Sequence, residues 1–519
     1  MADRKIVIRA MKNVILLLCG ALALQSAAAQ QGRRTPITVN IDPEVSYQTI
    51  HNFAASDAWS CQFAGNWPDS KRNRMADWLF STDTTTAGQP TGIGLSMWRF
   101  NIGAGSAEQG TASGIKDEWR RAASLQAADS SSKKKLEGQY WFLQAAQQRG
   151  VQQFLGFLNS PPVQFTTNGK AYATNGNCNI SADRYADLSA YLAQAVYQVQ
   201  SATGVQFNYI SPVNEPQWDW SDGGQEGCPY NNRQLAGLVK TLSTTFTDRQ
   251  LATRILVSEA GKINYLYELH DKKDKGEQVK DFFGNGSANY LGNLPNVQRS
   301  IAGHSYFTTS PEKEEIATRR NLASSIAAVP GLEFWQSEYC ILGDNGGEIN
   351  GSGKDLGMVS ALYLARVIHH DLTVANAAAW QYWLAISPYD YKDGLIYIDK
   401  HATDGQVHDS KMLWVLGNYS RFIRPGAKRI QATVKDSALH NGLLVSGYRN
   451  TDNTVNLVVV NNKAEAVDIQ LNYKNVKAKQ IRSYTTSANS SLQPGAAFLD
   501  DNKAISIPGR SVVTLVGLF

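Results

Sequence analysis

Between residues 48 and 419 short apolar runs alternate with longer amphipathic stretches, and this alternation restricts the fold more than any other feature of the chain. A short continuous apolar run reads as a strand buried on both faces, and the amphipathic stretch after it as the helix that carries the chain back to begin the next parallel strand. The runs are Thr49–Ala54, Gly94–Phe100, Gln153–Leu158, Asn208–Pro212, Arg254–Val257, Ser300–Gly303, Leu332–Gln336 and Ala377–Trp383. Eight such units predict an α/β fold of the closed (β/α)8 type, a TIM barrel, over residues 48–419 with loop insertions. Ser181–Gln200, with Ser181 as its N-cap, and Asp355–His370 read as two of the helices. The run Ser130–Lys135 reads as a solvated polar loop.

The chain of 519 residues is longer than one core requires, and its character changes near residue 420. Ala432–Val434, Leu443–Tyr448, Val455–Val460, Ala466–Leu471, Gln480–Tyr484 and Ser511–Leu515 are short β-rich runs broken by Asn, Asp and Gly turns. They predict a β-sandwich side domain made of residues 420–519 together with 30–47, where Pro36–Ile41 and Val45–Tyr47 supply strands from the other end of the chain.

Residues 1–29 read as a signal peptide: Arg4, Lys5, Arg9 and Lys12 precede the apolar run Val14–Leu24, which ends at Ala27–Ala29. That run is too short to span a bilayer as a helix, so the expected location is secreted or periplasmic, without membrane insertion. Bulky Leu18 before Cys19 argues against a lipid anchor there. The other cysteines are Cys61, Cys178, Cys228 and Cys340. Cys178 and Cys228, in polar loops, could pair in an oxidising compartment, or all four could be buried thiols. No Cys/His cluster has zinc spacing. Net charge is +5 with no basic block interleaved with aromatics, which argues against nucleic acid as a partner. Nothing in the sequence sets an oligomeric state.

In a barrel the chemistry belongs to the C-terminal ends of the strands. Glu215 ends the fourth apolar run, in Ile210–Trp218, where Pro216 blocks continuation of the strand. Flanked by Trp218 and Trp220, a buried Glu215 should have a raised pKa, as a general acid requires; the alternative is a turn glutamate capping the next helix. Glu338 ends the seventh run, with Tyr306 placed to donate from the neighbouring strand; alone it could equally be a buried salt-bridge partner. Carboxylates on the fourth and seventh strands face each other across a barrel. Glu259, ending the fifth run, is the competitor, fitted to bind substrate or to set a catalytic pKa. Arg99, on an inward strand position, needs a partner if buried. His304 is either functional or a satisfied core histidine. The 12 Trp and 22 Tyr suit sugar binding, since ring faces stack on pyranose C–H faces.

Asn214-Glu215-Pro216 and Ser337-Glu338-Tyr339 resemble the catalytic strands of clan A of the glycoside hydrolases. Ala54–Trp59, Gly94–Gly105 and Leu416–Gly426 resemble family 30 within that clan, and the likeness covers nearly the whole chain after residue 29. It implies a retaining β-glycosidase with Glu215 as acid/base and Glu338 as nucleophile, and no cofactor or metal. By the same resemblance Asn214 would bind the sugar 2-hydroxyl, Arg99 and Tyr306 would support the nucleophile, Trp380 would floor the sugar at the cleavage point, and Asp57 and Trp59 would line subsites. His51–Ala54 departs from the Gly-rich start usual for the first strand. Ala54–Trp59 and Gly94–Gly105 look closest to the endo-β-1,6-galactanase branch, which implies a polysaccharide or oligosaccharide substrate, β-1,6-galactan of arabinogalactan side chains. The alternatives are a β-1,6-glucanase, xylanase or exo-glycosidase of the same mechanism, and a non-catalytic carbohydrate-binding protein.

Overall fold

The structure is a computed structural model that describes residues 35–498 and 503–519. The proposed signal peptide and Cys19 lie outside the described residues. Strand β1 (Ile37–Thr49) precedes the barrel, whose strands are β2 (Asn52–Ser56), β3 (Met97–Asn101), β4 (Gln153–Phe157), β5 (Tyr209–Ser211), β6 (Arg254–Ala260), β7 (Val297–His304), β8 (Glu333–Glu338) and β9 (Ala379–Ser387). They pair parallel in sequence order, and β9 pairs with both β8 and β2, which closes the ring. The (β/α)8 expectation is met at every strand.

Side-chain alternation sorts residues between the two faces of the ring. Ala54, Met97, Leu155, Leu256, Ala302, Trp335 and Ala379 form the interior cluster. Their neighbours Phe53, Trp98, Phe154, Ile255, Ile301, Phe334 and Trp380 join a separate, larger core with the surrounding helices. Small alanines beside large Trp335 and Met97 fill the ring as a packed interior.

Three helix starts differ from expectation. Asp129, accepting from the Ser132 N–H at 2.9 Å, caps a helix over Ser130–Gln148, so the expected polar loop is that helix's first turns. Ser181 makes no side-chain cap; it precedes a 3-10 turn, and the α-helix runs over Tyr185–Thr203. The helix expected from Asp355 begins at Met358, with the Asp355 carboxylate accepting from the Ser360 N–H at 2.9 Å. Among the described residues no helix is long and apolar enough to cross a membrane.

After β9 come β10 (Gly394–Ile398) and β11 (Val407–Asp409), which widen the sheet at one edge. The side domain holds β12 (Lys428–Val434), β13 (Leu443–Arg449), β14 (Val455–Asn461), β15 (Val467–Tyr473), β16 (Gln480–Ser487), β17 (Ser490–Pro494), β18 (Ile505–Ile507) and β19 (Ser511–Leu518). With β1 they form one nine-stranded order, β17-β16-β19-β14-β13-β12-β1-β15-β18, folded into a sandwich. β1 lies between antiparallel β12 and parallel β15. On β14, Leu457 and Val459 enter the sandwich core, while Val458 and Val460 pack with the barrel helices. Helix Lys411–Ser420 fills the junction: Asn418 Nδ2 donates to Thr514 Oγ1 at 3.0 Å and to the Tyr484 carbonyl at 3.1 Å. Gly417 makes this close approach possible, since a Cβ there would lie 2.7 Å from Ile93 Cγ2. Arg421 then donates to the Ser81, Gly92, Thr82 and Asp83 carbonyls, which fixes the sandwich to the barrel.

Candidate active site

Glu215, Glu259, His304 and Glu338 meet at the C-terminal ends of β5 to β8, where the barrel opens. β5 stops at Ser211, and Glu215 itself takes a φ of 44°, with its N–H donating to the Glu259 carbonyl at 2.8 Å. Such a left-handed conformation is costly for a residue with a side chain and persists where the surroundings impose it. The Trp220 indole donates to the Glu215 carbonyl at 3.1 Å. Glu338, at the last position of β8, accepts from Arg99 Nη1 at 3.2 Å and from the Tyr306 hydroxyl at 3.1 Å. His304 stands between the two glutamates, with Nδ1 at 2.9 Å from Glu215 Oε1 and 3.6 Å from Glu338 Oε1. Its Nε2 lies 3.1 Å from Glu259 Oε2.

This cluster is buried, so its charges control one another. Burial disfavours the His304 imidazolium, but Glu338, Glu215 and Glu259 outweigh it and push the pKa up to about 10. Burial likewise works against an ionised Glu259, yet His304 and Arg99, with the Ser211 hydroxyl, hold it at about 2. Ser211 donates to Oε1 of Glu259 and Ser337 to Oε2, the oxygen that also faces His304. Glu259 is therefore a fixed anion with both oxygens hydrogen-bonded, and it does not line the cavity described below. Glu215 goes the other way. Burial raises its pKa above the ordinary carboxylate value, Glu338 adds to this, and His304 and Trp218 only partly offset it. Glu215, His304 and Glu338 each place one atom within 4.8 Å of the others, a spacing a metal ion could use. A protonated His304 has no free lone pair, however, so this trio does not suit a cation.

The pair opens into a cavity of about 770 Å³ lined by Asn214, Glu215, Tyr306 and Glu338 on the barrel ends and by Trp59, Trp218, Trp220, Phe307, Trp383, Tyr389 and Tyr391 around them. Arg120, Asp390 and Asp393 supply its remaining charges. Asn214 Oδ1 is buried and accepts no hydrogen bond within the protein. Trp59 packs edge-on against Trp383, with ring centroids 5.5 Å apart.

Two expected subsite residues are elsewhere. Asp57 is buried beneath the mouth, where Oδ1 accepts from the Asn101 N–H at 2.7 Å and Oδ2 from Gln139 at 3.1 Å. Burial, only partly offset by these donors, pushes its pKa up to about 7. Trp380 points outward from the ring and donates to Asp371 Oδ2 at 2.9 Å; Trp383, three residues on, faces the cavity instead. The residues missed from sequence include Arg120, Phe307, Trp383, Tyr389, Asp390, Tyr391 and Asp393. The signal that could have found Asp393 is the acidic, aromatic stretch Tyr389–Asp393 right after the eighth barrel strand. All four described cysteines are free thiols, and Cys228 Sγ accepts from the Asn179 N–H at 3.3 Å, next to Cys178.

Two glutamates at the ends of the fourth and seventh strands of a (β/α)8 barrel, over an aromatic cavity, define a glycoside hydrolase. The family comparison agrees: residues 36–397 match O-Glycosyl hydrolase family 30 and residues 426–515 match the Glycosyl hydrolase family 30 beta sandwich domain. The chain belongs to glycoside hydrolase family 30. It is 27% identical over 429 residues to an endo-beta-1,6-galactanase of Hypocrea rufa, covering 79% of each chain. Among solved structures it is similar to a conserved exported protein from Bacteroides fragilis, with 32% identity and a TM-score of 0.84 over 92% of this chain and 100% of that one. The catalytic domain of a family 30 xylanase C from Talaromyces cellulolyticus shares the fold, with a TM-score of 0.67 and 22% identity over 93% and 100% of the two chains.

Proposed function

We propose that this hydrolase cleaves β-1,6-linked galactan with retention of configuration, using Glu338 as nucleophile and Glu215 as acid/base. The observation that carries the mechanism is spacing: an oxygen of Glu215 and one of Glu338 lie within 4.8 Å. Retaining enzymes hold their carboxyl groups ~5–5.5 Å apart, and inverting enzymes need ~6.5–9.5 Å to admit a water. Glu338, oriented by Arg99 and Tyr306, attacks the anomeric carbon as the Glu215 proton passes to the glycosidic oxygen. The C–O bond breaks, a glycosyl ester forms on Glu338, and the leaving sugar carries the proton away. Ester formation removes the Glu338 charge, which had helped to raise the Glu215 pKa. Glu215, left ionised by that transfer, takes a proton from the incoming water as its oxygen bonds to the anomeric carbon from the same face, and the ester bond breaks to return Glu338 as a carboxylate.

The galactan substrate is supported by the galactanase relative, which spans most of both chains. Secretion is part of the same reading. It rests on Arg4–Lys12, the apolar run Val14–Leu24 and Ala27–Ala29, together with the likeness to an exported protein. The purified protein should release short β-1,6-galacto-oligosaccharides from de-arabinosylated arabinogalactan, with the β-anomer appearing first by NMR, and barely touch β-1,6-glucan or xylan. Faster release from glucan or xylan would overturn the galactan assignment alone. Glu338→Ala should lose activity by several orders of magnitude and regain part of it with azide, giving an α-glycosyl azide. Glu215→Ala should retain glycosylation by substrates with good leaving groups. Wild-type rates on polysaccharide in both variants would sink the roles assigned to the pair.

A further inference from the structure

We propose that Asp393 is the residue by which the cavity recognises its sugar, accepting the axial C4 hydroxyl of the bound galactosyl unit. Naming that hydroxyl rests on the galactan reading; the role of Asp393 as a sugar-hydroxyl acceptor does not. Asp393 lies on the connection from β9 to β10, lines the catalytic cavity and is only 7% exposed. Its Oδ1 accepts no hydrogen bond within the protein.

The neighbouring groups do not satisfy that oxygen. Asp390, on the same connection, is engaged by the Lys354 N–H at 2.8 Å. The Ser387 hydroxyl lies against the Asp393 carboxylate but leaves Oδ1 unpaired. The Arg120 guanidinium acts on Asp393 only as a nearby charge, and it sits against the rings of Trp59 and Tyr389, 5.7 and 5.2 Å from their centroids. The remaining wall is mostly aromatic, with Asn214, Gln225, Cys340 and Leu342 among the rings, and none of them donates to Oδ1. A carboxylate oxygen buried without a donor is costly, and the donor this cavity is shaped to receive is a hydroxyl carried in by a sugar.

Position selects the hydroxyl. Asp393 lines the same cavity as Glu215 and Glu338, so a sugar bound there meets all three carboxylates. With C1 held between Glu215 and Glu338, the C4 hydroxyl is the group that a third carboxylate must read to tell galactose from glucose. A β-1,6 linkage leaves the C4 hydroxyl free on every unit, whereas a β-1,4 chain uses it in the backbone. Galactose and glucose differ only in the direction of this hydroxyl. A charged acceptor built for one direction is left unpaired by the other, which is how polar sites reach large discrimination.

The test is steady-state kinetics of the full chain and of Asp393→Ala and Asp393→Asn on β-1,6-galactan and β-1,6-glucan, with thermal midpoints alongside. Removing a charge-assisted hydrogen bond to substrate should lower kcat/KM on galactan by about 100-fold in Asp393→Ala, and by about tenfold in Asp393→Asn, which keeps a neutral acceptor. The galactan-to-glucan ratio should fall in step while the pH profile set by Glu215 stays in place. Unchanged kcat/KM and ratio in either folded variant would overturn the proposal, as would equal losses on both polysaccharides. If the wild-type protein prefers another polysaccharide, the galactan reading fails. Asp393 is then judged by its effect on that preferred substrate.

Discussion

His304 tempers the rise that burial imposes on the Glu215 pKa. Its hydrogen bond and charge lower the Glu215 pKa against the upward pull of burial. Replacing it by Gln removes a cation from between three carboxylates, so the Glu215 pKa rises further. In the proposed mechanism Glu215 must be protonated to act as an acid, so its ionisation sets the alkaline limb of kcat/KM. That limb should move up by about one pH unit in His304→Gln, as the loss of a neighbouring charge does for a buried carboxyl. A limb that stays put or moves down would show that His304 does not tune Glu215. Glu215, Glu338, Arg99 and Tyr306 were legible in the sequence because each is a polar residue ending or interrupting an apolar run, where burial demands a partner. Trp380 was misread because cavity and outer face differ by a single position in a strand, and only the register with β2 and β8 fixes that parity.

Asp57 acts between elements, since its two oxygens tie the end of β2 to β3 and to Gln139 on helix Ser130–Gln148. Burial raises its pKa from the ordinary 3.8 to about 7, so the folded state disfavours the anion. Below the ordinary value both states are protonated and folding bears no penalty. As pH rises through this window the penalty grows, and it is complete above about 7. Asp57→Asn carries no such charge. Its thermal midpoint relative to the wild-type protein should therefore improve steadily between pH 4 and 8, an interval chosen to bracket that window. A constant or shrinking gap would contradict the burial effect. Strand centres were readable throughout from apolar periodicity. Ends and caps were not, because they depend on single partners such as Asp129 for Ser132, and the wall formed by Tyr389–Asp393 carries no periodic signal.

At the scale of the whole molecule, barrel and sandwich share a face through helix Lys411–Ser420, Arg421 and the outward residues of β14. A chain ending at Ser420 would bare that face and leave β1 without β12 or β15. It should be recovered in the insoluble fraction or as inactive protein; a soluble, fully active fragment would mean that the sandwich is an accessory. The side domain was legible in outline because β-rich runs begin where the helical pattern stops. Its joining by the opening strand has a consequence in time. β1 pairs Val39 with Val434 and Ile37 with Ile469. At ~5–20 residues per second of synthesis, β1 waits on the order of 20–80 s for its partners to be made. The first of the described strands to leave the ribosome is thus among the last to be paired, and a bare β-edge must be shielded for the whole of that interval.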